Sequence, residues 1–228
     1  MSDQLNLAAI DTDGAIREAA DAVAGDTRLS FLRRGALAGG AAVGGGAILS
    51  GLVAPALASA KGAPPSSFGK GDIGILNYAL TLEYLERAFY EEATAKGAVT
   101  DRKTKAFLKT VTFDEKKHVA FLQKALGRHA VKKPRFNFHG ATENQAKFQQ
   151  TAFVLENTGV HAYLGQAGNI KTPAYLLAAA SIVTIEARHS GAIASIIGKP
   201  IAPSGPFDRG LPASTILKQV KATKFIVG

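Results

Sequence analysis

The chain has 228 residues, 46% of them apolar, enough for one globular core with extra segments. It has no cysteine, which excludes a disulfide framework, a thiolate metal site and a thiol nucleophile. The formal charge is +9, but the basic groups read as scattered over elements and loops with no aromatic-interleaved run, so a solvated basic surface is expected rather than nucleic-acid binding. Such a surface also suits an anionic envelope polymer or a membrane surface.

Residues 1–60 read as an export signal. They hold four basic and six acidic groups, the basic ones including Arg33-Arg34, followed by a Gly- and Ala-rich apolar stretch that ends in Ala58-Ser59-Ala60. The long polar start and weakly hydrophobic run resemble a twin-arginine (Tat) signal, although TRLSFLR places Leu29 where the second arginine would sit. Cleavage and export to a periplasm are expected; the alternative is an uncleaved membrane anchor, since the run is long enough to span a bilayer. Residues 61–71, KGAPPSSFGKG, read as a flexible linker.

From residue 72 onward four apolar runs have helical spacing: 72–96, 101–126, one that opens at Thr142-Glu143 and stops at Gly168, and one that opens at Thr172-Pro173 and stops at Gly198. A glycine follows each end, as left-handed C-caps require, and Pro173 suits a first helical position. Each run is about 25 residues, or ~37 Å of α-helix. Connections are short except for residues 127–141, which are long enough to cross from one end of a bundle to the other. The expected fold is therefore all-α, an antiparallel four-helix bundle over 72–198 with one long crossover. Residues 199–228 form an irregular C-terminal tail whose amphipathic piece ASTILKQVKATKF packs on the bundle or on a second subunit of a homo-oligomer.

Each run carries an acid where leucine would pack better. The first has Glu83, the second Glu115 and His118, the third Glu156, the fourth Glu186 and His189. Glu and His three residues apart lie about 60° apart on one helical face, so both can reach a common point. Glu83 is followed seven residues later by Tyr90, and Glu156 by Tyr163, so the pattern Glu-x6-Tyr then Glu-x2-His occurs twice. Four carboxylates in one apolar core repel, and several would have to protonate. Two divalent cations neutralise four carboxylates, with two imidazoles completing the set. Oxygen-rich ligation with one nitrogen per metal suits iron or manganese better than structural zinc.

With this residue set the chain from 72 to 198 resembles the ferritin-like di-iron carboxylate superfamily, in which two helices each give one Glu and two give Glu-x-x-His. That resemblance implies ligand roles for Glu83, Glu115, His118, Glu156, Glu186 and His189 in a dinuclear centre of iron, alternatively manganese. Tyr90 and Tyr163 are expected to hydrogen-bond the ligand carboxylates. Within the superfamily, NYALTLEYLERAFYEEA and PFDRGLPASTILKQVKATKFI resemble the exported, desiccation-related ferritin-like proteins. The implied activity is oxidation of Fe(II) by O2 or H2O2 in stress protection. The alternatives are H2O2 disproportionation at two manganese ions and a non-catalytic envelope module stabilised by metal. Glu86, about 60° from Glu83, reads either as a partner behind the ligand carboxylates or as a solvated residue; His161 points about 140° from Glu156 and reads as a packed or interface histidine, and His129 and His139 read as surface residues.

Overall fold

The computed structural model describes residues 62–227 and consists of four long helices, a short fifth one and a two-stranded bridge. Helix α1 spans Gly71–Lys96, α2 Arg102–Leu126, α3 Gln145–Ala167, α4 Pro173–Ile196 and α5 Ala213–Thr223. The expected export segment 1–60 lies outside the described residues, and among the described residues no helix is long and apolar enough to cross a membrane.

Helix ends follow from local chemistry. Asp101 caps α2, its side chain accepting from the N–H groups of Lys103 and Thr104, and Asn144 caps α3 through Lys147 N–H. Helix α3 thus starts at Gln145, later than the expected Thr142-Glu143, because Asn144 accepts the free N-terminal N–H while Thr142 is turned to donate to Glu92. Pro173 does open α4. Three of the four expected C-terminal glycines have positive φ (Gly97, Gly127 and Gly198), but Gly168 is right-handed at φ −72, in a turn held by Asn169 N–H to Gln166 O.

Contacts at the helix ends define the topology. Gln145, at the start of α3, accepts from the N–H groups of Thr100 and Asp101 at the α1–α2 corner. Asp72, at the start of α1, accepts from the N–H groups of Lys171 and Thr172 between α3 and α4. Helices α1 and α3 are therefore antiparallel. The end of α2 lies beside the start of α1, where Asn77 donates to His129 O and accepts from Val131 N–H. The chain from 127 to 144 thus runs the length of the bundle, as its length implies.

Two segments are more ordered than their composition suggests. Residues 62–71 are docked on the bundle: a 3₁₀ turn over Ser66–Phe68 sets Phe68 edge-on to Tyr78, Asn77 donates to Phe68 O, and Gln166 donates to Gly62 O. The tail 199–227 is not irregular throughout. It forms α5 and a strand β2, Ile226–Val227, paired antiparallel with β1, Arg135–Phe136, of the crossover. Ala213, Ile216 and Val220 of α5 enter the core, and the stretch before it presses on α3 so closely that a Cβ on Gly165 would meet Leu211 O at 1.9 Å.

The apolar core falls into two clusters. One joins Phe89, Phe107, Val111, Phe148 and Ile193 with Phe138 of the crossover; the other joins Leu76, Leu80, Tyr84, Val119, Leu122 and Ile182. Glu83, Glu115, Glu156 and Glu186 sit near the midpoints of their helices, between the two.

Candidate metal centre

The six residues expected as ligands converge. Glu83, Glu115, His118 and Glu186 each offer one ligand atom to a set whose members lie within 4.8 Å of one another, and Glu115, Glu156, Glu186 and His189 form a second such set. Opposed ligands at bonds of about 2.1 Å stand ~4.2 Å apart, so both sets have the size of a metal cage. Glu115 and Glu186 belong to both. The four carboxylates are fully buried, while the side chains of His118 and His189 keep 10% and 7% exposure.

Both histidines aim Nδ1 inward. His118 Nδ1 lies 3.3 Å from Glu83 and Glu115 and 3.1 Å from Glu186, and His189 Nδ1 lies 3.4 Å from Glu115 and 3.3 Å from Glu156. His189 Nε2 donates to Asp114 at 3.0 Å, so the neutral ring would present its lone pair on Nδ1.

The tyrosines hydrogen-bond the carboxylates as expected, but crosswise. Tyr90 of α1 donates to Glu156 of α3, and Tyr163 of α3 donates to Glu83 of α1 at 2.5 Å. Seven residues carry a side chain about 10 Å along its own helix. Because α1 and α3 are antiparallel, each tyrosine reaches the partner helix's glutamate.

A metal-free core of this kind is electrostatically costly, and the protonation pattern reflects it. Burial, helped by the charge of Glu83, pushes Glu115 up to about 8. Burial and the charge of Glu115 raise Glu186 well above the carboxylate range. Glu83 is also buried, yet the His118 imidazole beside it holds its carboxyl below the usual value. Burial disfavours the charged imidazole, but the surrounding carboxylates overcome it, raising His118 and lifting His189 to about 12.

Even so, Glu83 Oε2, Glu115 Oε1, Glu156 Oε2, both Glu186 oxygens and His189 Nδ1 are buried with no hydrogen-bond partner among the described residues. Each orphaned polar atom costs about 1–3 kcal/mol in an interior. Six of them facing one another, on oxygen donors plus an imidazole nitrogen, fit divalent cations of the iron and manganese type.

Three contributors were not assigned from the sequence. Asp114 directly precedes Glu115, and nothing in one chain marks it as the partner of a histidine 75 residues away. Glu86 is 3% exposed, and burial with the charge of Glu186 raises its carboxyl well above the usual range; its signal is the three-residue spacing from Glu83. Gly159 sits inside α3, where glycine costs about 1 kcal/mol against alanine. A Cβ there would lie 3.1 Å from Glu186 Oε2 and 3.3 Å from Glu86 Oε1, so its absence makes room for both carboxylates. Of the histidines read as uninvolved, His161 is half-buried, accepts Leu211 N–H on its carbonyl, and stands outside both sets.

No curated protein matches the chain in sequence. The family model of the ferritin-like domain does, over residues 71–199, from the start of α1 to just past the end of α4. With the same four helices carrying the carboxylate–histidine cluster, the chain belongs to the ferritin-like domain family.

Proposed function

We propose that the two ligand sets hold a pair of metal ions, iron or alternatively manganese, and that the protein oxidises Fe(II) with O2 or H2O2 in an exported, stress-protective setting. The observation that carries this is the group of orphaned carboxylate oxygens enclosed between two apolar clusters. A pair of ferrous ions held there would supply the two electrons that reduce O2 to H2O2, or H2O2 with two protons to two waters.

The chain's own residues divide the work. Glu115 and Glu186, common to both sets, would be shared between the two ions, and Glu83 and Glu156 would each serve one. Tyr163 and Tyr90 each hold one oxygen of Glu83 and Glu156 by hydrogen bond, which leaves the other oxygen facing the site. Asp114 holds Nε2–H of His189 and so fixes its tautomer. Glu86, which like Glu186 borders the space left by Gly159 and whose carboxyl burial holds well above the usual range in the metal-free protein, is a proton carrier beside the centre.

Anaerobic Fe(II) titration followed by exposure to air tests the proposal. Two ions bound per chain, lost in the Glu115→Ala/Glu186→Ala double variant, with oxidation of the bound iron in air, is the expected result. Release of O2 from H2O2 without reductant by the manganese-loaded protein would assign the catalase reading instead. Metal that raises thermal stability without any turnover would leave a structural module of the envelope.

A further inference from the structure

The net charge is concentrated, not scattered. Residues 102–135 hold 11 basic and two acidic groups, and the remaining residues hold 16 of each, so this stretch accounts for the whole +9. Glu115, one of its two acids, is buried in the centre. Seven of the cations lie on α2, and every one is exposed. Among them stand two large apolar side chains facing water: Phe113, 59% exposed, and Phe121, 45% exposed. Phe113 has Lys109, Lys116 and Lys117 at the helical neighbour positions, and Lys117 Nζ sits 5.2 Å from its ring centroid. Phe121 opens onto a groove between α2 and α4 shared with Lys124 and with Leu177, itself 70% exposed.

We propose that the outer face of α2, with Leu177 of α4 at its edge, docks on an anionic lipid bilayer. Cations attract the headgroups, the phenylalanines enter the boundary of the acyl region, and the lysine stems lie along it with their ammonium groups in the headgroup layer. A soluble polyanion would neutralise the lysines and leave the aromatic rings in water. A second copy packed face to face would cover the rings but set seven cations against seven. A bilayer satisfies both kinds of side chain at once. The apolar stretch inside residues 1–60, preceded by Arg28, Arg33 and Arg34, would bind lipid through its own residues and leave positions 113 and 121 in water, so quenching at those positions separates the two.

The chain contains no tryptophan, so Phe113→Trp in the full chain introduces a unique fluorophore at the centre of the face. Its emission should shift to the blue, and be quenched by acyl-brominated lipid, with vesicles of phosphatidylglycerol and phosphatidylcholine in equal parts but not with phosphatidylcholine alone. A tryptophan in place of exposed Val154 on α3 should do neither. Replacing Lys109, Lys116, Lys117 and Lys124 by Gln should weaken vesicle binding roughly fivefold per charge, the equivalent of about 1 kcal/mol per basic residue near the surface. Coincident thermal melts check that the variants fold, and Phe121→Trp reads the same face should the first fail. Three results would overturn the proposal: anionic-lipid binding with no quenching at either position, which leaves a plain polyanion site or the N-terminal segment; equal binding to both vesicle types, which removes the role of the α2 cations; and a blue shift that tracks protein concentration without lipid, which assigns the face to a second copy.

Discussion

Tyr163 and Asp114 show how single residues hold the centre in shape. Tyr163 gives its hydroxyl to Glu83 Oε1, while Glu83 Oε2 has no hydrogen-bond partner. Tyr163→Phe removes that donor and keeps the packing volume. The metal-free variant is expected to lose about 1–3 kcal/mol in urea unfolding, the cost of one more unsatisfied buried acceptor. Asp114 acts on the other side, outside the ligand sets, by fixing the His189 ring through Nε2. Asp114→Ala should therefore lower metal affinity by about 10–100-fold, measured by competition with a chelator, while leaving the metal stoichiometry unchanged. Loss of one ion outright would instead make Asp114 a ligand. Glu86 tests the reverse effect: it is a fifth buried carboxyl beside four, and Glu86→Gln should raise the melting temperature of the metal-free protein at pH 8, because burial and the neighbouring carboxylates hold its carboxyl well above the usual range and an amide needs no proton taken up on folding.

At the scale of elements, α5 was legible as an amphipathic piece but not in its effect. Ile216 is fully buried in the same cluster as Phe138 of the crossover, and β2 pairs with β1 beside it. Helix α5 thus clamps the connection that makes the topology ferritin-like. Ile216→Ala should cost about 2–5 kcal/mol in equilibrium unfolding, as for a core isoleucine rather than a tail residue. The four long helices and the six clustered residues were readable because each rests on a local signal: 3.6-residue apolar spacing, terminal glycines, and an acid in each apolar run, twice followed by a histidine three residues on. What the sequence hid needs chain direction or tertiary contact. The Tyr90–Glu156 and Tyr163–Glu83 pairing follows from α1 and α3 being antiparallel, and spacing along one helix could suggest only that each tyrosine shares its own glutamate's face. Residues 62–71 have the composition of a linker, and only Gln166, Asn77 and Tyr78, distant in the chain, reveal that they dock. Gly168 has the type of a left-handed cap, but a local turn set its conformation.

For the whole molecule the buried centre makes stability a function of pH and metal together. Glu115 has a pKa of about 8 in the folded metal-free protein against an ordinary 4.5, so between those values the folded state keeps a proton that the unfolded chain has released. His189, raised from 6.5 to about 12, keeps its proton in the same way above 6.5. Each excess proton lowers folding stability by about 1.4 kcal/mol per pH unit as pH rises through its window. Glu83 has the opposite sign, since its pKa is depressed. The stability it contributes is present above 4.5 and is lost only as pH falls, so it does not offset the decline at higher pH. The metal-free protein is therefore expected to melt at progressively lower temperature from pH 5 to pH 8. Cations held at the proposed centre would bind the deprotonated side chains and displace those protons, so their affinity should rise over the same range. The gap in melting temperature between metal-loaded and metal-free protein should widen steadily with pH, as differential scanning calorimetry at fixed free metal would show. Parallel profiles would mean that the carboxylates and imidazoles exchange no protons for metal, and the neutral-cluster account of the core would fail with them.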